Sequence, residues 1–145
     1  CIFNADGSFN PTEILGMYNK LKNEDKDIIF ASRYEKNAGS DDDTLITKIG
    51  NFIFTALGKF LFRLPITDIL YTFVLGKTKM VLDLNLQSQD FTFCVELPIK
   101  AQRKNYKISS IPSYERIRIA GKKKVNAIRD GFYILKKMIF MFFKD

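Results

Sequence analysis

The sequence predicts an α/β domain in which helices flank a mixed, mainly parallel sheet. A short, continuously apolar run at residues 28–31 is typical of a strand that is buried on both faces of a parallel sheet. An apolar segment at residues 1–5 and an amphipathic helix precede that run within about thirty residues, which is the spacing of a β–α–β unit. With 145 residues, of which 46% are hydrophobic and 27% charged, the chain can bury one core.

The first helix has a clear start signal. Asn10 is placed as its cap, Pro11 at its first position and Glu13 in capping-box position. Apolar residues up to Leu21 continue on one face, and a charged run then ends the helix. The polar segment 35–44 contains three consecutive aspartates, and it is predicted to be an exposed, mobile loop.

A second helix is predicted over residues 45–63, with Pro65 as its stop signal. Its polar positions form one narrow stripe, and the remaining face is so wide and apolar that protein or lipid must cover it. The stripe consists of Lys48, Asn51, Thr55 and Lys59. Because the lysines interrupt the apolar run before the ~18 residues that a membrane span needs, we expect no transmembrane helix.

The C-terminal part is predicted to alternate between strands and helices. A strand is expected at 70–75 and helices at 77–84 and 93–104, the second of these with Pro98 in its first turns. The segment 106–118 is expected to be extended, with a bend or edge at Pro112. The C-terminal segment 125–145 is expected to form a last amphipathic helix that ends at residue 143. In this last helix Phe132, Leu135, Ile139 and Phe142 share one face.

Composition excludes several kinds of chemistry. The chain contains no His, so it cannot form a Ser-His-Asp or Cys-His nucleophilic site or a His-based zinc site. Its two cysteines, Cys1 and Cys94, cannot form a disulfide framework and fit a reducing compartment. The net charge of +7 arises from residues 99–145, which hold thirteen Lys and Arg against three acids. Such a basic region suits nucleic acid, anionic lipid or a phosphorylated substrate, and a solvated basic surface is equally open.

Two side chains at the start of the chain are candidate metal ligands. Asn4 and Asp6 precede a tight turn at the end of the first predicted strand, where a crevice of a parallel sheet binds ligands. A carboxylate at that edge can hold Mg²⁺ or Mn²⁺ on a diphosphate, although an ordinary Asx turn has the same sequence. Arg33 directly follows the buried strand at 28–31, so it is placed at the same edge for a forked phosphate contact or for a surface salt bridge.

Two carboxylates are candidate catalytic acids or bases. Asp68 follows the end of the second helix, and Glu96 lies in an apolar run, where a helix dipole would also favour a carboxylate. A basic segment at residues 116–124, with Arg118 and Lys124, packs five cations around a glycine. Since no aromatic residues interleave with these cations, we expect phosphates rather than nucleic acid as the ligand.

In this order, the motifs resemble the second half of a glycosyltransferase family 2 domain of the GT-A fold, in the branch of the dolichyl-phosphate and polyprenyl-phosphate sugar transferases. The matching segments are Asn4-Ala5-Asp6-Gly7 with Asn10, Pro11 and Glu13, then Ser32-Arg33-Tyr34, then residues 67–73, and finally Arg118-Ile119-Ala120-Gly121 with Lys124. The chain departs from the family pattern at Asn4, which replaces the first acid, at residues 71–74, and at Lys123, which replaces a serine.

The resemblance implies transfer of a sugar from a nucleotide-sugar donor to a polyprenyl-phosphate or glycan acceptor. It implies Mg²⁺ or Mn²⁺ on the diphosphate at Asp6 and Asn4, phosphate contacts from Arg33, Arg118 and Lys124, and a base role for Asp68 in preference to Glu96. It also implies a nucleotide-binding half before Cys1, without which residues 1–145 form only part of the domain. A catalytically silent relative that acts as a binding module, and a basic nucleic-acid-binding protein, are the alternatives.

The two long apolar helices predict a place of action. Both carry more Phe, Ile and Leu than one core face needs, and both carry Lys or Arg beside that face. This composition is typical of an interfacial helix on anionic lipid, so we expect a cytoplasmic protein at the inner face of the membrane, bound to it without spanning it. The same faces are also suited to packing on an upstream half or in an oligomer.

Overall fold

Helices flank a small mixed sheet in the computed structural model, which describes residues 1–121 and 126–144. The helices are α1 (Glu13–Asn23), α2 (Leu45–Phe62), α3 (Thr78–Asp83), α4 (Phe93–Arg103) and α5 (Ala127–Phe143). The strands are β1 (Ile28–Ser32), β2 (Gly39–Ser40), β3 (Val74–Gly76), β4 (Ile108–Pro112) and β5 (Tyr114–Glu115). The predicted α/β class is confirmed at this level.

The central sheet has the strand order β3-β1-β4. Strand β1 pairs in parallel with β4 and antiparallel with β3, and all five of its residues are buried. Ile28 and Phe30 join a core formed with α2, α4 and α5, whereas Ile29 and Ala31 join a second core under α1. The alternation of a strand therefore divides the apolar run between two layers, as expected for a sheet covered on both faces.

The N-terminal segment lies beside β3 rather than beside β1. The strand predicted at residues 1–5 is reduced to one antiparallel bridge between Ile2 and Val74, with backbone hydrogen bonds of 2.8 and 3.2 Å. The strand predicted at 70–75 begins later, at Val74. Because β3 runs antiparallel to both of its neighbours, the N-terminal segment is parallel to β1. The N-terminal segment and β1, the two strands of the predicted β–α–β unit, are therefore separated by β3.

The start of α1 differs from its sequence signal. Asn10 accepts hydrogen bonds from the backbone and hydroxyl of Thr12, at 3.2 and 2.8 Å, and the helix begins at Glu13. The Glu13 carboxylate does not close the expected capping box. It accepts instead from the Ser113 hydroxyl at 2.5 Å and from the Tyr114 backbone at 3.3 Å. A long-range contact to the region of β5 has replaced the local one.

Helix α2 turns the middle of its polar stripe inward, whereas Lys48 and Lys59 at the two ends of the stripe are exposed. Asn51 accepts a hydrogen bond from the backbone of Leu70 at 3.0 Å, and Thr55 accepts one from the backbone of Ile69 at 3.2 Å. Asn51 and Thr55 are buried, while six large apolar side chains of the helix are exposed. These are Leu45, Ile46, Ile49, Phe52, Ile53 and Phe60. The predicted wide apolar face exists, and it faces outward.

Helix α5 packs beside α2 and is also apolar on its outer side. Its buried residues are Ile134, Met138 and Met141, whereas the face predicted from Phe132 to Phe142 is exposed. We define the α2–α5 apolar surface as the six exposed residues of α2 together with Phe132, Leu135, Ile139, Phe140, Phe142 and Phe143. By length and composition α2 is long and apolar enough to cross a membrane, so the expectation that its lysines interrupt the apolar run too early for a span was wrong; core helices of soluble proteins and signal sequences meet the same criterion.

Glu96 is a buried ion-pair residue of α4. Its carboxylate accepts hydrogen bonds from the backbone of Gln87 and Ser88, at 2.9 and 2.8 Å, and pairs with Lys100 at 2.6 Å and with Lys137 of α5 at 3.2 Å. Burial opposes the charge of this carboxylate, but the hydrogen bonds from Lys100 and Ser88 outweigh burial and lower the pKa of Glu96 to about 2. The Glu96 carboxylate therefore links α4 to α5 and to the loop at residues 87–88.

We expect Glu96→Gln to lower the free energy of unfolding by about 3 kcal/mol at neutral pH, because two lysines and two backbone amides lose a charged partner. The pKa is depressed on folding, so this stabilisation is present above the unfolded value of 4.5 and is lost as pH falls towards about 2. Urea denaturation of both proteins at several pH values measures the difference. A difference that does not shrink in acid would contradict the assignment.

Candidate active site

A cavity of about 500 Å³ opens where the parallel strands β1 and β4 end. Arg33, which follows β1, and Glu115, which follows β4, both line it. Asn4 and Asp6 contribute from the N-terminal turn, and Arg118 contributes from the segment after β5. The carboxyl ends of parallel strands are where open α/β sheets bind ligands.

The N-terminal turn presents Asp6 to the cavity. One Asp6 oxygen accepts from the backbone and the hydroxyl of Ser8, at 3.0 and 2.6 Å. Burial opposes the charged carboxylate, but these two bonds outweigh it and lower the pKa of Asp6 below its usual range. Gly7 has a φ of +86°, and a Cβ there would lie 2.8 Å from the side chain of Ile119, so the turn requires glycine.

Arg33 is held by two carboxylates. Its Nε and Nη2 donate to Asp68 at 2.7 and 3.0 Å, and its Nη1 donates to Glu115 at 3.0 Å. The guanidinium also lies 4.7 Å from the centre of the Tyr71 ring. Burial opposes the charge of Arg33, yet the two carboxylates outweigh burial and raise its pKa. We call Arg33, Asp68 and Glu115 the buried charge cluster.

Asp68 lies behind Arg33, and its side chain has 0% exposure. Both of its oxygens accept from Arg33, and Oδ2 accepts in addition from the Arg33 backbone at 3.1 Å. A carboxylate with this set of partners positions Arg33. To act as a base it would first have to be released by that guanidinium.

Arg118 bridges two loops at the mouth of the cavity. Its Nη2 donates to Asp42 at 2.9 Å, and its Nη1 lies 3.8 Å from Asp6. The Nε atom is buried and makes no hydrogen bond with any described residue. The Arg118 guanidinium therefore lies between the carboxylates of Asp6 and Asp42, and its Nε–H group is free to donate to a ligand.

Three carboxylates that line the cavity were not predicted as site residues from the sequence: Asp42, Asp43 and Glu115. The segment 35–44 was predicted to be an exposed, mobile loop; β2 lies within it and pairs with β5, and Asp42 and Asp43 directly after β2 line the cavity. Asp43 accepts hydrogen bonds from the Tyr34 and Thr47 hydroxyls. The run of three aspartates was the available signal, whereas nothing local marked Glu115.

Four of the predicted site residues are brought together at this cavity, namely Asn4, Asp6, Arg33 and Arg118. Asp68 is placed one layer behind them, and Glu96 belongs to the separate ion-pair cluster on α4. Lys124 lies outside the described residues.

The residues present fit a cation carried in by substrate better than a resident one. Within residues 1–121 and 126–144, no group of three or more Cys, Asp or Glu is placed to hold a metal ion. The Oδ1 atom of Asp6 is bonded to Ser8, the other oxygen, Oδ2, lies 3.8 Å from Arg118, and Asn4 lines the same cavity. One carboxylate is a sufficient protein share for Mg²⁺ when substrate phosphates and water supply the other ligands.

Comparison with known proteins assigns no family to the chain: no protein-family profile matches it, and no curated protein matches it at a significant level.

We expect Arg33→Ala to lower the free energy of unfolding by about 3–5 kcal/mol, since it leaves two buried carboxylates without their cation. Arg118→Ala is the matched control, and we expect it to cost at most about 1 kcal/mol because that arginine is partly exposed. Urea denaturation of both variants measures the costs. Adding Asp68→Asn to Arg33→Ala should recover part of the loss, and equal costs for the two single variants would contradict the role given to Arg33.

Proposed function

We propose that the chain is the C-terminal part of a GT-A domain of glycosyltransferase family 2, which transfers a sugar from a nucleotide-sugar donor to an acceptor such as a polyprenyl phosphate or a glycan. The observation that supports this proposal is the convergence of separate motifs. Asn4, Asp6, Arg33 and Arg118, which carry the resemblance and lie far apart in sequence, line one cavity at the ends of parallel strands.

In this proposal Asp6, with Asn4, faces the donor diphosphate together with Mg²⁺ or Mn²⁺. The divalent ion supplies charge neutralisation for the leaving diphosphate. Arg118 exchanges its contact with Asp42 for a phosphate oxygen, and its unused Nε donor adds to the same contact. Lys124 belongs to the same basic segment and has the same proposed role.

Arg33 is suited to hold an acceptor phosphate in a fixed place. A guanidinium has five N–H groups, and the carboxylates of Asp68 and Glu115 take up three of them. The two others remain for a ligand in the cavity that Arg33 lines. Because the carboxylates fix the guanidinium plane, binding requires little reordering of the side chain.

The paired state of Asp68 favours a phosphate acceptor over a hydroxyl acceptor. A phosphate oxygen is already anionic, so it can form the new bond to the anomeric carbon while the bond to the nucleoside diphosphate breaks. A hydroxyl acceptor needs a base to take its proton. Asp68 could take that proton only after it separates from Arg33.

A catalytically silent binding module is the second candidate. The observation that favours it is Asn4, which gives the cavity a neutral amide where the related enzymes have a carboxylate. With one acid fewer, metal-dependent binding would be weaker.

We expect Asp6→Ala to weaken Mn²⁺-dependent binding of nucleotide sugars by more than about ten-fold, and Asn4→Asp to strengthen it, because each changes the carboxylates that face the diphosphate. Calorimetry with a panel of nucleotide sugars measures the affinities. The full-length gene product is used, since the resemblance implies a nucleotide-binding half upstream.

The control is Asp41→Ala, which removes a nearby carboxylate whose contact is with the Tyr114 hydroxyl. If Asp6→Ala leaves the metal-dependent affinity unchanged, the proposed metal role is wrong. Binding without sugar transfer to any phosphate or glycan acceptor would favour the silent module.

We further propose that the α2–α5 apolar surface rests on the cytoplasmic face of a membrane without crossing it. Cations flank the surface at Lys48, Lys59, Arg63, Lys136 and Lys144, and α2 contains no acidic residue. Asn51 and Thr55 in the middle of the polar stripe are fixed in the protein interior, so the helix offers its opposite, apolar face to lipid, as interfacial helices do.

We expect the pair Phe140→Ser and Phe142→Ser to reduce binding to vesicles of phosphatidylcholine and phosphatidylglycerol by about ten-fold or more, since both side chains lose the gain from burial in lipid. Flotation at low salt measures binding. Leu15→Ser, an equally apolar and exposed position on α1, should leave binding unchanged. Sedimentation that shows a stable dimer without flotation would assign the surface to a second subunit instead.

A further inference from the structure

We infer that a groove along α2, separate from the candidate active site, binds the phosphate headgroup of an anionic phospholipid. This inference rests on the membrane-surface part of the proposed function. The groove has a volume of about 290 Å³. It lies between α2 and the segments that contain Tyr34 and Thr67. Among the described residues, none lines both this groove and the candidate active-site cavity.

The lining of the groove is rich in hydrogen-bond donors. Lys48 and Lys59 stand three helical turns apart at its rim, and neither forms an ion pair with a described residue. Asn51 and Thr55 lie between the two lysines on the same stripe of the helix. Tyr34 and Thr67 close the opposite wall, and their hydroxyls donate to Asp43 and to Ser32.

The side chain of Asn51 is the strongest indication of a ligand. Asn51 is only 1% exposed, and its Oδ1 accepts from the backbone of Leu70, which fixes the orientation of the amide. The Nδ2 group has no hydrogen-bond partner among residues 1–121 and 126–144. The Nδ2 atom is not among the fully buried unpaired atoms of the described residues, so it is reachable from the groove and can donate to an acceptor that enters there. The hydroxyl of Thr55 accepts from Ile69 and likewise keeps its proton for such a ligand.

Position favours a lipid headgroup over free phosphate. Phe52 and Ala56 also line the groove, and both are exposed at its outer edge. Phe52 belongs to the α2–α5 apolar surface, so a headgroup in the groove has its acyl chains directed to the side of the helix that we assign to the membrane.

Asn51→Asp tests the groove directly, because it keeps the acceptor for Leu70, removes the donor and adds a negative charge. We expect flotation with vesicles of phosphatidylcholine and phosphatidylglycerol to weaken by about ten-fold or more. Asn126→Asp is the matched control, since it adds the same charge at the cap of α5, where Asp serves as well as Asn. Lys48→Gln, compared with Lys136→Gln on α5, repeats the test at exposed positions where folding is not at risk.

Several outcomes would overturn the inference. Equal losses for Asn51→Asp and Asn126→Asp, and for Lys48→Gln and Lys136→Gln, would show general attraction to a charged surface. The side-chain amide signal of Asn51 in an NMR titration should respond to dihexanoyl-phosphatidylglycerol at concentrations at least about ten-fold below those needed for inorganic phosphate. An equal response to both would overturn the lipid assignment.

Failure of the inference differs from failure of the proposed membrane surface. The pair Phe140→Ser and Phe142→Ser acts on vesicles of any composition, whereas the groove variants act only where phosphatidylglycerol is present. Loss with the phenylalanine pair and none with the groove variants would leave the membrane surface in place and remove the headgroup site.

Discussion

The buried charge cluster of Arg33, Asp68 and Glu115 is the interaction on which the rest of the structure depends. It joins three parts of the chain that are distant in sequence: the end of β1, the segment after α2, and β5. Buried charges are costly unless each has its partner, so all three segments must be in place together. Once they are, the Glu115 carboxylate also accepts from the Ser40 hydroxyl at 2.6 Å, and this contact fixes β2 against β5.

The inverted orientation of α2 follows from the same constraint. Asp68 is buried against Arg33, so the residues that come next, Ile69 and Leu70, run through the interior with backbone N–H groups that need acceptors. Asn51 and Thr55 provide these acceptors. A helix that turns its polar stripe inward to meet a buried backbone must turn its apolar side chains outward. The exposure of Phe52 and Phe60 is thus a consequence of how the cavity wall is built.

Local signals predicted what local chemistry determines. The apolar run of β1 and the periodicity of α2 identified the class of fold and the helices, because each depends on neighbours in sequence, whereas the cap predicted at Asn10 was wrong. The insertion of β3 beside Ile2 and the pairing of β2 with β5 depend on partners more than thirty residues away, so no local pattern indicated them. Glu115 was missed for the same reason: its role depends on Arg33, 82 positions earlier.

Helix α2 connects the two sites and the membrane surface that we propose. Thr47 lines the candidate active-site cavity, Lys48 and Asn51 line the groove, and Phe52 belongs to the apolar surface. These residues lie within five positions, which is about 8 Å along a helix axis. A headgroup bound in the groove would therefore fix the height of the cavity mouth above the bilayer. If the proposed acceptor is a lipid phosphate, the same helix would then serve both to anchor the protein and to present the acceptor to the cavity that Arg33 lines.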